Sequence, residues 1–241
     1  MHYDWEALAH GVYRCRLPFL DVTVGLVAGT RGILLVDCGT TLLEAAQIAD
    51  DVFALTGGSV THVVLTHHHF DHILGSAGFG AAQIYAPPAV AAALTTHLGE
   101  VRAHALEYGT DPVQLDRAIS GVRAPDQIVT NTDLDLGGRS VHVEHPGPGH
   151  TDHDLVVVVP ARSVEERTVV FCGDLVEQSA DPAINEGSDV GAWPSALDGI
   201  LALGGPDAIY VPGHGALVDA AFVRRQRAWL AARGESPSRP A

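Results

Sequence analysis

The sequence predicts one layered α/β domain. Short apolar runs of strand length alternate along the chain with longer runs of helix length. One of them, Val63-Val64-Leu65, lacks polar alternation, as expected of a strand covered on both faces. Four of the apolar runs lead into loops that carry a His or an Asp, at the sheet edge where α/β proteins form binding crevices.

Taken in order, Val22 to Ala28 and Gly32 to Val36 read as a strand pair around the turn Gly29-Thr30-Arg31. Thr40 or Thr41 can cap a helix running to about Leu55, with Leu42, Ala45, Ala49 and Val52 on one face and Gly57-Gly58 ending it. Thr61 to Thr66 reads as a buried strand. Ala89 to Tyr108 and Pro112 to Ile119 read as helices separated by Gly109-Thr110-Asp111, a turn and cap. Val141 to Glu144, Leu155 to Val159, Thr168 to Phe171 and Ala208 to Val211 read as further strands. Pro194 to Leu203 and Val218 to Ala232 read as further helices. The expected organisation is a single domain over residues 1–241, with a helical insertion at about 87–129 and a frayed tail at about 234–241.

Composition narrows the function classes. Hydrophobic residues make up 46% of the 241, enough to bury a sizeable core. A formal charge of −15 argues against nucleic acid as a partner, because phosphate backbones call for a basic surface. No uncharged apolar run reaches the length of a membrane span, and the opening MHYDWEALAH lacks the apolar core of a signal peptide. The expectation is a cytoplasmic protein without membrane association. The 3 cysteines, Cys15, Cys38 and Cys172, match no metal-binding spacing and read as small core residues in a reducing compartment.

Chemistry concentrates in Thr66-His67-His68-His69-Phe70-Asp71-His72. In an extended chain, residues two apart point the same way, so His67 and His69 share a side and His68 takes the other. A turn into helix near Phe70 swings Asp71 and His72 back toward the same space. Three imidazoles and a carboxylate then converge, a donor set suited to Zn²⁺ or to Fe and Mn ions. Three further positions extend the set: His150 after the run Val141–Glu144, Asp174 after Thr168–Phe171, and His214 after Ala208–Val211. Each follows an apolar strand in a loop containing glycine, which permits tight turns and close backbone approach.

His67-x-His69-x-Asp71-His72, followed by His150, Asp174 and His214, resembles the full ligand signature of the metallo-β-lactamase superfamily. The resemblance extends from Leu34-Leu35-Val36-Asp37-Cys38-Gly39 to Pro212-Gly213-His214-Gly215. It implies a four-layer αβ/βα sandwich, two mixed sheets packed face to face with helices outside. It implies that His67, His69 and His150 hold one metal, that Asp71, His72 and His214 hold a second, and that Asp174 bridges them. Two divalent ions, zinc first and iron or manganese as alternatives, would lower the pKa of a bound water and give a hydroxide nucleophile. Asp71 would orient it or relay its proton. Asp37 is expected to close a strand-to-helix turn and support the site without catalytic duty.

The expected function is hydrolysis of a small ester, thioester, lactone or amide, with a small molecule as the partner. A mononuclear iron-dependent sulfur dioxygenase and a non-catalytic metal-binding protein are the alternatives. Asp174 stands where one branch of the β-lactamases carries Cys. The intervals from His150 to Asp174 to His214 resemble thioesterases of the glyoxalase II type, although the stretch after His214 is too short for that branch's helical domain. The large extra domain of the nuclease branch and the Tyr of the lactone hydrolases have no counterpart here. Of the remaining polar residues, His68 reads as structural, and His97 and His104 as one polar helix face. Asp152, His153 and Asp154 read as hydrogen-bonding loop residues, and Glu177, Gln178 and Trp193 as neighbours that edge the pocket.

Overall fold

The computed structural model describes residues 1–234. The first sheet holds β1 (Glu6–Ala9), β2 (Val12–Arg16), β3 (Thr23–Ala28), β4 (Ile33–Val36), β5 (His62–Val64), β6 (Gln83–Ala86) and β7 (Gln127–Ile128), in that spatial order. Its first four strands pair antiparallel, and β4 to β7 pair parallel. The second sheet runs in the order β12 (Ile209–Val211), β11 (Val169–Phe171), β10 (Val156–Val159), β9 (Ser140–Glu144) and β8 (Asn131–Asp135). Only β11 and β12 pair parallel there.

Side-chain alternation along the strands creates the layers. Val27 of β3, Leu34 and Val36 of β4 and Val64 of β5 face the second sheet, where they meet Val141, Val143, Val157, Val169 and Phe171. The intervening residues Val24, Leu26, Leu35 and Val63 face the other way, onto α1 (Leu42–Thr56) and α2 (Phe70–Ile73). The same core takes Val90 from α3 (Pro88–Ala93), Val101 from α4 (Leu98–Glu107) and Leu115 from α5 (Pro112–Gly121). On the far side, Val156, Val158 and Val170 pack against Trp193, Leu197 and Ile200 of α6 (Trp193–Gly204) and Val223 and Leu230 of α7 (Ala220–Gly234). The order helix, sheet, sheet, helix is the expected four-layer sandwich. Burying each such Val, Leu or Ile contributes about 1.5–3 kcal/mol.

Local signals act as read. Thr41 caps α1 in a complete capping box with Glu44, and Gly57 ends it in the left-handed region at φ 73. The stretch Ala89 to Tyr108 differs from expectation. It is two helices, α3 and α4, interrupted at Thr95-Thr96-His97, where both Thr hydroxyls donate back to the carbonyls of Ala91 and Ala92. Strands β1, β2, β6, β7 and β8 lie outside the runs picked out in the sequence. The last helix starts at Ala220, two residues later than expected. No helix among the described residues is long and apolar enough to cross a membrane. The expected fraying of the tail beyond Gly234 falls outside the described residues.

Candidate metal centre

The two sheets bring the ends of four strands to one place. β5 ends at Val64, and the chain bends at His67 and His68 before His69, the N-cap of α2. The helical turn then carries Asp71 and His72 back over His67, whose ring centroid lies 4.4 Å from that of His72. His150 comes from the loop between β9 and β10, Asp174 from the short 3₁₀ turn Gly173–Leu175 after β11, and His214 from the loop after β12. That last loop is tied on both sides by backbone bridges from His214 to Val22 and to Glu177.

The structure gathers all seven expected residues into two sets of metal-competent atoms. One is His67, His69, His150 and Asp174; the other is Asp71, His72 and His214. In the first, His69 Nδ1 lies 3.1 Å from His67 Nε2 and 2.9 Å from His150 Nε2. Asp174 Oδ2 lies 3.5 Å from each of those two Nε2 atoms. In the second, His72 Nε2 lies 3.3 Å from His214 Nε2, and Asp71 Oδ2 lies 3.5 Å from His214 Nε2 and 3.7 Å from His72 Nε2. Asp174 reaches this set too, 3.2 Å from His72 and 3.4 Å from His214. Donors about 2.0–2.1 Å from a tetrahedral centre stand about 3.3 Å from one another, so these spacings are those of a ligand cage.

Hydrogen bonds aim the imidazoles inward. The Nδ1 atoms of His150 and His214 face the carbonyls of Ala183 (3.0 Å) and Leu20 (2.7 Å). His72 Nδ1 lies 2.9 Å from Asp37 Oδ2, and His67 Nδ1 lies 3.0 Å from Thr66 Oγ1. Each contact places a ring proton on Nδ1, so that in the neutral ring the Nε2 lone pair points into the cluster. Asp37 acts twice, because the Thr66 hydroxyl donates to it at 2.8 Å and the Thr66 amide donates to its other oxygen at 2.8 Å. Its backbone sits in the left-handed region at φ 58, which Asp tolerates better than most residues.

A metal fits this donor set. Lone pairs of His67 and His150 converge on His69 with too few protons to satisfy them mutually. Asp174 Oδ1 is buried without a hydrogen-bond partner, as a group made for another ligand would be. A side chain at Gly213 would place its Cβ 1.9 Å from that oxygen, so the Pro-Gly-His turn needs glycine to approach it.

The two sets differ electrically. Burial, reinforced by neighbouring imidazoles, holds His67 and His69 well below the ordinary imidazole range, the neutral form a metal requires. At His72, burial acts in the same direction but is outweighed by Asp174, Asp71 and Asp37, which hold that ring well above it. His214 shows the same balance and is pushed up to about 9, chiefly by Asp174 against the effect of burial. Burial alone would raise the Asp174 carboxyl, yet His72, His214 and His67 hold it well below its usual range.

Neighbouring residues separate by role. His68 stays out of both sets and pairs instead with His153. His97 and His104 are more than a polar helix face: both line a cavity of about 400 Å³ beside the cluster, and the His104 ring packs edge-on to His69 at 5.5 Å. Trp193 is buried 5.8 Å from His150, and its Nε1 donates to the Leu175 carbonyl. Glu177 is buried, and its carboxylate accepts from the Ser179 amide and hydroxyl. Gln178 accepts from the Ala216 amide and so steadies the His214 loop. Asp154 accepts from the Thr151 amide, and burial pushes its carboxyl up to about 7. Thr66, Leu20 and Ala183 are orienting residues to which the sequence assigned no role.

Comparisons with known proteins bear on the family and the fold. A family model described as the metallo-beta-lactamase superfamily matches residues 17–214. A metallo-beta-lactamase type 2 from Bacillus cereus is 26% identical over 198 residues, covering 81% of this chain and 68% of that protein. Another from Bacillus sp. (strain 170) is 27% identical over 199 residues, covering 81% and 67%. Among solved structures, a metallo-beta-lactamase from Pontibacter korlensis matches at TM-score 0.70 with 20% identity, covering 95% of this chain and 98% of that one. FIM-1 from Pseudomonas aeruginosa, in its mono-zinc form, matches at 0.71 with 17% identity, covering 97% of both. At those identities the structural likeness speaks for the fold.

Proposed function

This chain belongs to the metallo-beta-lactamase superfamily, and from that premise we propose that it is a dinuclear metal-dependent hydrolase of a small ester, thioester, lactone or amide. The observation that supports it most is the placing of Asp174 between two complete donor sets. His67, His69 and His150 would hold one ion and Asp71, His72 and His214 the other, with Asp174 shared. When bound, two divalent ions, zinc by the nitrogen-rich donor set with iron or manganese as alternatives, supply a water of lowered pKa and polarise the acyl oxygen.

The chain's own residues do the rest. Asp71 is the one carboxylate confined to the second set, and it holds or relays the proton of the attacking water. Asp37 and Thr66 keep His72 and His67 in the tautomers that ligation needs. The helices of residues 87–129, an insertion within a single domain, wall the cavity that receives the substrate's variable arm. The free, buried Cys15, Cys38 and Cys172 suit a reducing, cytoplasmic setting.

A second reading, hydrolysis of a β-lactam amide, is favoured by the names of the two Bacillus relatives. One experiment separates the readings. The protein is stripped with a chelator, reloaded with zinc, and assayed on thioesters, esters, lactones and β-lactams. The proposal expects turnover of an acyl substrate that returns with metal and is lost in His69→Ala. Wild-type protein inert on every class, with metal or without, would overturn it.

A further inference from the structure

Three consecutive residues of the loop that carries His214 are each tied to the hairpin of β2 and β3. The Thr23 amide donates to the Gly213 carbonyl at 2.7 Å. His214 Nδ1 lies 2.7 Å from the Leu20 carbonyl. The Arg14 guanidinium donates through Nη1 to the Gly215 carbonyl, also at 2.7 Å.

Arg14 is an unusual residue for its place. It stands two residues from Val12 on β2, so the two side chains share a face, and Val12 packs in the core between the sheets. Arg14 is only 6% exposed. A guanidinium so placed has lost most of its hydration and depends on the partners it keeps. One partner is Glu6, directly opposite on β1, whose Oε2 accepts from Nε at 3.0 Å and lies 2.9 Å from Nη2. The guanidinium is a rigid planar fork. With Nε and Nη2 engaged by Glu6, the direction of Nη1 is set, and it points at the carbonyl next to His214.

The turn of the hairpin is shaped toward the same loop. Leu20 and Asp21 both lie in the left-handed region, at φ 57 and 60, which residues with a Cβ rarely adopt in succession. Arg16 Nε donates to Asp21 at 2.6 Å, and the Leu17 amide donates to the Val22 carbonyl at 2.8 Å. In that shape the Leu20 carbonyl faces the His214 ring. The contacts that orient His67 and His150 come from Thr66 and Ala183 instead.

We propose that Arg14 is a positioning residue for the second donor set. It holds the Gly215 carbonyl, and with it the backbone of His214, where that ring reaches Asp71 and His72. This role rests on the dinuclear reading, and it makes the affinity of one ion depend on a buried side chain that ligates nothing.

Metal-free wild type and Arg14→Met are titrated with zinc against a chromophoric chelator. One of the two affinities should fall about ten-fold or more while the other holds. In His214→Ala, where the first set alone stays whole, adding Arg14→Met should leave the affinity of the remaining ion unchanged. Arg14→Lys, whose ammonium lacks the fork, should fall between wild type and Arg14→Met. Glu6→Ala, at a half-exposed position, frees the guanidinium and should weaken the same ion several-fold, so the role can be judged even if Arg14→Met does not fold. Arg139→Met removes another buried guanidinium, one paired with Glu166, and should lower the melting temperature with both affinities unaltered. A purely structural Arg14 would behave like that control. Both affinities unchanged, or both weakened alike, in Arg14→Met or Glu6→Ala would overturn the role of Arg14 alone. Wild-type protein that binds no more than one zinc would overturn the dinuclear reading and this role with it.

Discussion

Asp37 Oδ2 lies 2.9 Å from His72 Nδ1, with both side chains almost fully buried. The same carboxylate holds Thr66, whose hydroxyl faces His67 Nδ1, so one residue orients a candidate ligand in each set. Asp37→Asn keeps the shape and tolerates the same backbone, but it can present an N–H where His72 needs an acceptor. The expected outcome is metal affinity weakened about 10–100-fold, with the metal-free melting temperature little changed. Competition with a chromophoric chelator measures it.

Gly213→Ala tests how closely the His214 loop must approach Asp174. An added Cβ would stand 1.9 Å from Asp174 Oδ1, and the backbone and carboxylate on either side leave little room to yield. The substitution should destabilise the protein by about 1–3 kcal/mol, as overpacking does, and displace the shared carboxylate. Thermal unfolding together with metal content reads both effects. An unchanged melting temperature with full metal content would contradict the placement of this loop.

His69→Ala removes the donor that faces both His67 and His150. It should cost the first ion while leaving Asp71, His72 and His214 in place. Elemental analysis should show about one ion per chain fewer than wild type, and hydrolytic turnover should fall by at least about 10²-fold.

Glu166 predicts an acid limb of stability away from the centre. The Arg162 amide donates to its carboxylate at 2.9 Å, and the guanidinium groups of Arg162 and Arg139 lie at 3.2 and 3.3 Å. These contacts, led by the Arg162 amide, bring the carboxyl down to about 2 from an ordinary 4.5. A folded-state value below the unfolded one stabilises the fold above the unfolded value, and that stability is lost as pH falls through the folded one. Glu166→Gln should therefore melt below wild type at neutral pH, and the gap should narrow as pH falls below about 4.5. Melting curves across that range test it; a gap that stays constant would contradict the assignment.

Much of this was legible because local chemistry and fold agreed. Thr41 with Glu44 announced the start of α1, and the spacing within His67 to His72 announced the turn at α2. The gathering of His150, Asp174 and His214 was legible because each follows an apolar strand. Strands β1 and β8 were harder to see, since they are short and mostly exposed, and little apolar pattern marks such edges. The split between α3 and α4 depends on two Thr hydroxyls choosing backbone partners, a competition that composition does not decide. The Asp152–His153–His68 chain and the placing of His97 and His104 in one cavity join residues from three segments, so only the folded arrangement could reveal them.

The most direct test of the dinuclear centre is a metal titration of the stripped protein, followed by elemental analysis after removal of excess ion. The account predicts two divalent ions per wild-type chain. It predicts about one in His214→Ala, where the second set loses a donor and the His67, His69 and His150 set stays whole. A wild-type chain that saturates at a single ion, or retains none, would contradict it.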